Sequence, residues 1–576
     1  MAPERLKSVK WFVLLAIIAI HRTAASADID QPAAPDFGPN VLIFDPSMAT
    51  IQSRIDGIYR QQERSEFGTG RYAYLFKPGA YNLDVQLGFY MDVAGLGQSP
   101  DAVSITGAVR SKATWMGGNA TVNFWRCVEN LSVVPTRDRD IDVWAVSQRT
   151  ALRRTHIKGN LNLWDHGWSS GGFMADCKID GQVTSGSQQQ WFSRNSDWNR
   201  WNGGVWNMVF LGTTHPPQGA WPERPYTVIN QTPLVREKPY LFMDGSGQYF
   251  VMVPDLQAHG SSGTSWSTGV TPGKSLPIDR FYLAHPNTDN AASINAALSE
   301  GKNLILTPGI YHLEAGIRVA RPNAIVLGLG YPTLIPDNGA VAMRVSDVDG
   351  VEVGGILFEA GAFNSPNLLQ IGEPESSASH ASNPSFFYDI FCRAGGAAVG
   401  KTSCFVTINS NDVVAENFWL WRADHGKGVE WNSNSVPTGL TVNGNNVTFY
   451  GLFVEHCQGY QTLWNGNGGR VYFYQSEMPY DPPSQTAWRH QAANGYASYK
   501  VADSVIDHEA WGLGVYCIFV RAPVVADNAV ETPDAPGIRI HHIVTLRLGG
   551  VPGSGMEHVI NGNGAAVVTN QISRVD

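Results

Sequence analysis

Short apolar segments separated by polar corners make up most of the chain. Segments such as VEVGGILFE (residues 351–359) and RVYFYQSE (residues 470–477) alternate side chains between two faces, as β-strands do. Gly, Asn or Asp stands between successive segments, and these residues favour turns. Short strands without long helices predict an all-β protein of stacked coils, a right-handed parallel β-helix. A β-sandwich or a β-propeller is the alternative.

One combination of segments occurs twice. Residues 74–97 and residues 304–330 each contain an apolar strand, the tetrapeptide Pro-Gly-x-Tyr, a second strand and a Gly-Leu-Gly turn. A segment with helical character precedes each copy, at residues 51–62 and 292–298. The repeat predicts two related domains in tandem.

The predicted domains are separated by a segment rich in Gly, Ser and Thr, which is typical of a linker. We place an N-terminal β-helix domain at residues 38–255 and the linker at 256–275. A C-terminal β-helix domain follows at 276–576.

The N-terminus has the pattern of a secretory signal peptide. Basic residues precede the apolar run WFVLLAIIAI, and a small-x-small cleavage site ends at Ala27. This predicts a signal peptide at residues 1–27 and an extracellular, secreted protein. A membrane anchor is the alternative, but ten apolar residues are too short to span a bilayer.

Composition narrows the function. Hydrophobic residues make up 43% and charged residues 16%, as in globular proteins. The net charge is −9, and removing the four basic residues and one acidic residue of the signal peptide makes it −12. The chain therefore has no excess of basic charge for nucleic acid. Its many aromatic residues suit sugar rings, whose C–H faces pack on them.

The secreted context also affects the cysteines and the glycosylation sequons. One or two disulfides are expected in an oxidising compartment, although Cys457 is a candidate for a buried free thiol. No pair has the spacing of a metal or redox motif. Four sequons are candidate glycosylation sites, at Asn119, Asn130, Asn230 and Asn446.

Candidate chemistry is concentrated in the second domain, where we expect an exposed aromatic cluster. In FWLWRADHGKGVEWN, Trp419 and Trp421 share one face of a strand, and Asp424 and His425 follow. Trp464 lies farther along, in GYQTLWNGNGG. We predict that such residues bind substrate, although any single aromatic ring is more often part of a core.

Two glutamates carry the catalytic prediction. Glu455 and Glu477 are 22 residues apart, which is close to one coil of a large β-helix. Glycoside hydrolysis needs such a pair: one carboxyl protonates the leaving oxygen while the other assists a water molecule. Glu477 lies where a strand gives way to the Pro-rich loop MPYDPP, whereas Glu455 fits a structural carboxylate equally well. The run Gln188–Gln190 in the first domain offers neutral amides that orient a water or form a ladder.

The chain resembles glycoside hydrolase family 55, the exo-β-1,3-glucanases or laminarinases, which consist of two tandem β-helices. The matching segments extend from about residue 38 to residue 570. They include FKPGAYN, GSQQQWFSRNS, VWNMVF, LTPGIYHL, WRADHGKGV, GLFVEH, YQSEMPYDPP and HEAWGLGVYC.

The resemblance implies roles for particular residues. Glu477 matches the general acid, Glu455 a carboxylate that supports the attacking water, and Gln189 a glutamine that holds this water. Trp421, Asp424 and Tyr480 match residues around the terminal sugar. The resemblance implies release of α-glucose from the non-reducing end of β-1,3-glucan with inversion, by a monomer without cofactor or metal. Leu211 and Glu430 depart from residues common in the family, which leaves chain-length and branch preference open.

Two other classes remain as alternatives. A pectinase of the polygalacturonase type shares the fold, and Asn287-Thr288-Asp289 is part of its signature, but this tripeptide lies at a domain entry. A negatively charged protein would also repel acidic pectin. A non-catalytic carbohydrate-binding protein or adhesin would retain the tryptophans without needing both glutamates.

Overall fold

The computed structural model describes residues 35–148, 150–569 and 571–576, together with Met1. Asp36–Asp576 forms one compact unit. The predicted signal peptide lies outside the described residues, apart from Met1. Within the described ranges, no helix has the length and hydropathy that crossing a bilayer requires.

The N-terminal β-helix is a 15-stranded assembly of parallel strands. The α-helix Ile51–Gln62 packs Ile51 and Ile55 into its core, as the helical pattern of this segment predicted. The strands are Val41–Phe44, Tyr72–Phe76, Gly79–Gln86, Met91–Gly95, Val103–Arg110, Arg126–Pro135, Ile141–Val143, Thr150–Ile157, Asn160–Asn162, Phe173–Ala175, Lys178–Thr184, Gln190–Arg194, Asp197–Asn202, Asn207–Leu211 and Tyr226–Ile229.

The C-terminal β-helix has one sheet of 13 strands and one of 9. The larger sheet contains Phe281–Ala284, Asn303–Leu306, Ile310–Leu313, Ile325–Gly328, Thr333–Pro336, Glu352–Glu359, Phe386–Ala394, Val414–Arg422, Thr448–Glu455, Gly469–Glu477, Asp507–Phe519, Gly537–Gly550 and Ile572–Val575. The smaller contains Ile317–Val319, Met343–Val345, Leu369–Ile371, Cys404–Ile408, Thr438–Val442, Thr462–Trp464, Tyr499–Val501, Val525–Glu531 and Gly555–Ile560. A hairpin pairs Arg489–His490 with Ala493–Asn494. The prediction of two tandem parallel β-helices is confirmed.

The α-helix Ala291–Ser299 precedes the coils of the C-terminal β-helix. Asn290 caps it by accepting a hydrogen bond from the backbone N–H of Ser293, whose hydroxyl accepts one from the N–H of Asn290. Asp289 accepts hydrogen bonds from the hydroxyls of Tyr282 and Ser293 and from the N–H of His285. The aspartate of the pectinase-like tripeptide therefore shapes this helix entry.

An antiparallel sheet of Tyr240–Met243, Tyr249–Pro254 and Gly273–Pro277 connects the two β-helices. The segment that we predicted as a linker is fastened to the N-terminal β-helix. Trp266 donates its indole N–H to the carbonyl of Asp176 at 2.8 Å, and the Ser265 hydroxyl bonds the Asp176 carboxylate at 2.8 Å. The domain boundaries themselves stay a prediction.

The two β-helices pack through a wide aromatic interface. Phe124, Phe173 and Phe192 from the first share one buried cluster with Trp419 and Phe453 from the second. A strand that is buried on both faces has a nearly continuous apolar sequence. The expectation of an exposed cluster at Trp419 and Trp421 is wrong, because the outer face of their strand is covered by the N-terminal β-helix.

Buried ion pairs cross the same interface. Arg153 binds both Asp389 and Glu416, and Arg194 binds Glu416 and Glu237. All five side chains are at least nine-tenths buried. Because a buried charge is costly unless it is paired, this network fixes how the two β-helices face each other.

The structure contradicts the expected disulfides and one of the four candidate glycosylation sites. None of the six buried cysteines forms a disulfide with another described residue. The prediction that Cys457 is a buried free thiol is confirmed. Asn130 is only 1% exposed and donates its amide to the carbonyls of Gly95 and Gly97. A folded chain cannot present this sequon for glycosylation.

Candidate active site

The two predicted carboxyl groups lie side by side at the ends of adjacent strands. Thr448–Glu455 pairs in parallel with Gly469–Glu477, and the register places Glu455 directly opposite Glu477. The next strands place Trp421 beside Glu455 and Tyr516 beside Glu477. The spacing of one coil per 22 residues is confirmed, and it brings four functional side chains into one row.

Glu455 lies between the two β-helices and accepts three neutral hydrogen bonds. The amides of Gln148 and Gln475 each donate to Oε1 at 2.8 Å, and the indole of Trp419 donates to Oε2 at 2.7 Å. Burial raises the pKa of Glu455 well above its usual value, and repulsion from Glu477 adds to this. Glu455 is 3% exposed, and the three donors fix the position of its carboxyl group.

Glu477 has a more open and different environment. It is half-buried and accepts a hydrogen bond from the Tyr480 hydroxyl. Burial is the main reason that the pKa of Glu477 is raised; repulsion from Asp424 adds to it, whereas His456 and Tyr480 oppose it. Both carboxyls have raised pKa values, but only Glu477 is partly exposed, so Glu477 is the one suited to donate a proton to a substrate.

A charged network surrounds the pair. His425 contacts Asp424 at 3.0 Å and Glu66, from the N-terminal β-helix, at 2.7 Å. Burial disfavours charge at both partners, but their mutual hydrogen bond outweighs it; the pKa of Asp424 falls to about 2 and that of His425 rises to about 10. The His456 ring packs 4.2 Å from that of Tyr480. Asp424 is therefore a permanent carboxylate that repels charge on Glu477.

Aromatic rings form the wall next to this network. Trp419 and Trp421 stack with centroids 5.0 Å apart, and Phe67 lies parallel to Trp421 at 6.2 Å. Phe67 and Glu66 come from the same loop of the N-terminal β-helix. Both β-helices thus contribute to the surroundings of Trp421 and His425.

The structure separates the three consecutive glutamines by role. Gln188 bonds the backbone of Gly171, Val146 and Leu163, and Gln190 bonds the carbonyl of Ser170. Gln189 is half-buried, and its carbonyl accepts from the N–H of Trp206, whose ring packs 4.9 Å from that of Tyr516. Gln189 therefore lies on the first β-helix beside Trp206, whose ring contacts the residue paired with Glu477. No hydrogen bond of the Gln189 side chain occurs among the described residues.

Gln148 is the residue that sequence reasoning missed. It precedes Glu455 by 307 positions and stands in no recognisable motif. Its amide also lies 3.5 Å from the Ser170 hydroxyl. Only the packing of one β-helix on the other brings Gln148 to the carboxylate.

Trp464 does not belong to the site. It is fully buried inside the C-terminal β-helix, where its ring packs on Phe449 and His508. The prediction that Trp464 binds substrate is wrong, because its strand Thr462–Trp464 directs this ring into the core. Trp464 is therefore a structural side chain of this core.

Metal-ligating groups are limited in the described part of the chain. Asp92, Cys127 and Glu129 have ligand atoms within 4.8 Å of one another. The ammonium of Lys238 already bonds Glu129 and lies 3.2 Å from Asp389. A cation would have to compete with this ammonium, and the group lies outside the row of carboxyls described above.

A parallel β-helix that carries a carboxyl pair on adjacent coils, beside stacked tryptophans, defines a glycoside hydrolase of the β-helical class. The two carboxyls differ in exposure and in hydrogen-bond donors, as an acid and its partner must.

Comparisons with known proteins identify the family within this class. Residues 281–477 match the LAM55 pectate lyase-like domain. An exo-β-1,3-glucanase of Streptomyces sp. (strain SirexAA-E / ActE) is 46% identical over 557 residues, which cover 95% of this chain and 91% of that protein. The chain belongs to this family of exo-β-1,3-glucanases, glycoside hydrolase family 55.

Solved structures agree with this assignment. The structure of sacteLam55A from Streptomyces sp. SirexAA-E matches with a TM-score of 0.91 and 45% identity, over 94% of this chain and 98% of that one. A single-site variant of sacteLam55A in complex with glucose matches equally well, with a TM-score of 0.91 and 46% identity. The same fold extends over nearly the whole described chain.

Proposed function

We propose that this chain is an inverting exo-β-1,3-glucanase that releases glucose from the non-reducing end of laminarin-like glucan. The observation that supports the proposal is the pairing of Glu455 with Glu477 in unequal surroundings. The similarity to an exo-β-1,3-glucanase and to a glucose-bound structure supports the substrate class.

In this proposal Glu477 is the general acid. It gives its proton to the glycosidic oxygen as the bond between that oxygen and the anomeric carbon breaks. The hydroxyl of Tyr480, bonded to Glu477, then stabilises the carboxylate that remains. Asp424 and His425 hold the electrostatic environment in which Glu477 keeps its proton until the sugar arrives.

The attacking water is assigned to the other side of the sugar. Glu455 and Gln148, joined at 2.8 Å, form a polar wall contributed by both β-helices, and Gln189 lies on the same β-helix as Gln148. The water adds to the anomeric carbon, and its proton passes to Glu455 directly or along water molecules held between Gln189 and Glu455. Attack opposite to the leaving group gives α-glucose.

The acid assignment is tested with Glu477→Gln, with Glu300→Gln on the exposed end of a helix as control. We expect release of glucose from laminarin to fall at least about 100-fold, as for loss of a general acid. A β-glucoside with a dinitrophenolate leaving group, which needs no protonation, should retain most of its rate. Equal losses on both substrates would contradict the role of Glu477 as acid.

Product stereochemistry and substrate class are tested on the unaltered protein. Proton NMR of the first product should show α-glucose, and a β-glucose product would contradict inversion. Laminarin should be cleaved in preference to β-1,4-glucan, β-1,6-glucan and pectin. Preference for pectin would instead support the pectinase alternative.

Secretion and assembly are part of the same proposal. Residues 1–27 act as a cleaved signal, and the mature protein works outside the cell as a monomer without membrane attachment. Expression in a secreting host with N-terminal sequencing of the released protein should find the chain beginning at Asp28. Light scattering should give the mass of one chain, and a dimer would contradict the monomer.

A further inference from the structure

A second, basic groove lies where the antiparallel sheet meets the first coils of the C-terminal β-helix. It encloses about 730 Å³, within the range of ligand sites. None of its lining residues belongs to the candidate active site. Its walls come from Gly273–Pro277 on one side and from the starts of the strands at Asn303, Ile325 and Glu352 on the other.

The groove is basic although the whole protein is acidic. Arg236, Lys274, Arg280 and Arg321 line it, against Asp255 and Glu352, whereas the whole chain has a net charge of −9. Lys274 and Arg280 are exposed, and neither forms an ion pair with any described residue. A basic concave surface concentrates anions even on an acidic protein.

The floor of the groove is a row of amides on successive coils. Asn383 donates to the amide oxygen of Asn323 at 2.8 Å, and Asn303 accepts from Arg321 at 2.6 Å. Gly350 has a φ of +68° and passes so close to Asn323 and Asn383 that a Cβ would meet their amide atoms within 2.5 Å. The glycine therefore permits two amides to meet under the groove.

Two guanidinium groups at the groove each have an N–H donor that no described residue accepts. Arg236 binds Glu352 at 3.4 Å and Asn383 at 3.2 Å, but its buried Nε has no partner among the described residues. The Nε of Arg321 is also buried without a partner in that part of the chain. Both arginines are half-buried, so their donors are partly desolvated before any ligand arrives.

We propose that this groove binds an anionic polysaccharide, whose carboxylate or sulfate groups pair with the basic side chains. The planar guanidinium of arginine can donate two parallel hydrogen bonds to such oxyanions. The asparagine amides can form hydrogen bonds with sugar hydroxyls. Leu276, Pro277 and Ile325 supply apolar surface for the C–H faces of the rings. The strands that start at Asn303, Ile325, Glu352 and Phe386 are consecutive neighbours, so the groove extends about 14 Å along the stack, enough for an extended ligand.

The groove serves attachment and not hydrolysis, because it lacks a pair of carboxyls on adjacent coils. It would hold the protein on an acidic glycan while the candidate active site acts on a different chain. The proposal stands independently of the β-1,3-glucanase assignment, since no residue is shared between the two sites.

The test measures binding by calorimetry to oligogalacturonate, dextran sulfate, neutral laminari-oligosaccharide and inorganic phosphate at equal ionic strength. The variant is Lys274→Glu with Arg280→Glu, and the control is Arg200→Glu with Arg139→Glu, two exposed arginines outside the groove. We expect the unaltered protein and the control to bind at least one acidic glycan. The groove variant should bind it at least about tenfold more weakly, and higher salt should weaken binding.

The two acidic glycans distinguish carboxylate from sulfate as the recognised group. Binding of neither, binding that the groove variant retains in full, or binding of phosphate alone would overturn the proposal. The melting temperature and laminarin hydrolysis of the groove variant should match those of the control, which separates loss of binding from loss of folding. Competition by laminari-oligosaccharide would place the acidic glycan in the active site and would also overturn it.

Discussion

Unequal surroundings separate the two carboxyl groups at the level of single residues. Glu455 is held by three neutral donors, whereas Glu477 has one tyrosine hydroxyl and lies near Asp424 and His456. Interacting carboxyls share their titration. The hydroxyl of Tyr480 lowers the pKa of Glu477 and thus sets the upper pH limit of an acid at this position.

Tyr480→Phe tests this effect. Without the hydroxyl, the ionised form of Glu477 loses a hydrogen bond, so its pKa rises and it keeps its proton to higher pH. We expect the alkaline limb of the pH profile of kcat/KM to move upward while the maximal rate falls. Tyr59→Phe is the matched control, because Tyr59 also donates to a glutamate, Glu63, at 3.0 Å. A downward shift of the limb would contradict the role of the hydroxyl.

His425 gives a second prediction at this scale. Its pKa is raised to about 10 because hydrogen bonds to Asp424 and Glu66 outweigh its burial. The stabilisation is complete below the unfolded-state pKa of about 6.5 and is lost as pH rises through 10. Glu66→Gln should therefore lower the melting temperature near neutral pH and reduce its decline between pH 7 and 10. An unchanged decline would contradict the link between Glu66 and His425.

At the scale of the strand, alternation predicts the face of each residue but not what covers it. In Val414–Arg422, Leu420 points into the C-terminal β-helix while Trp419 and Trp421 point outward, as the pattern predicted. Their burial depends on the other β-helix, so the sequence could not show it. Gln148 was missed for the same reason, whereas Glu455 and Glu477 were found because their spacing repeats the coil.

Leu420→Ala tests how far the coils depend on their core. Leu420 is fully buried, and such truncations cost about 2–5 kcal/mol. We expect this loss in the free energy of unfolding, measured by urea denaturation. Val568→Ala, at an exposed position, should change it by less than about 0.5 kcal/mol. A loss at Leu420 as small as at Val568 would indicate that the coil relaxes around the cavity.

The absence of disulfides among the described residues gives a prediction for the coils together. None of the six buried cysteines is joined to another described residue by a disulfide, so non-covalent interactions hold the coils in place. Adding dithiothreitol should leave the melting temperature unchanged. A decrease of several degrees would reveal a covalent link that the structure does not contain.

For the whole molecule, the decisive feature is the charged and aromatic interface between the two β-helices. Glu416 belongs to the C-terminal β-helix and binds Arg153 and Arg194 of the N-terminal one. Glu416→Gln leaves these buried arginines short of a counter-charge, and breaking a buried pair costs about 3–5 kcal/mol. Glu509→Gln breaks the more exposed pair with Arg539 and should cost at most about 1 kcal/mol.

Because the active-site residues come from both β-helices, loss of the interface must also affect catalysis. We expect Glu416→Gln to lower the unfolding midpoint measured by tryptophan fluorescence and by circular dichroism equally, since Trp419 and Trp421 lie in the interface that joins the coils. The bond between Gln148 and Glu455 crosses the same interface, so laminarin hydrolysis should fall at temperatures below the midpoint. Two separated transitions, with hydrolysis unchanged, would show instead that each β-helix is stable alone and that the interface does not position the site.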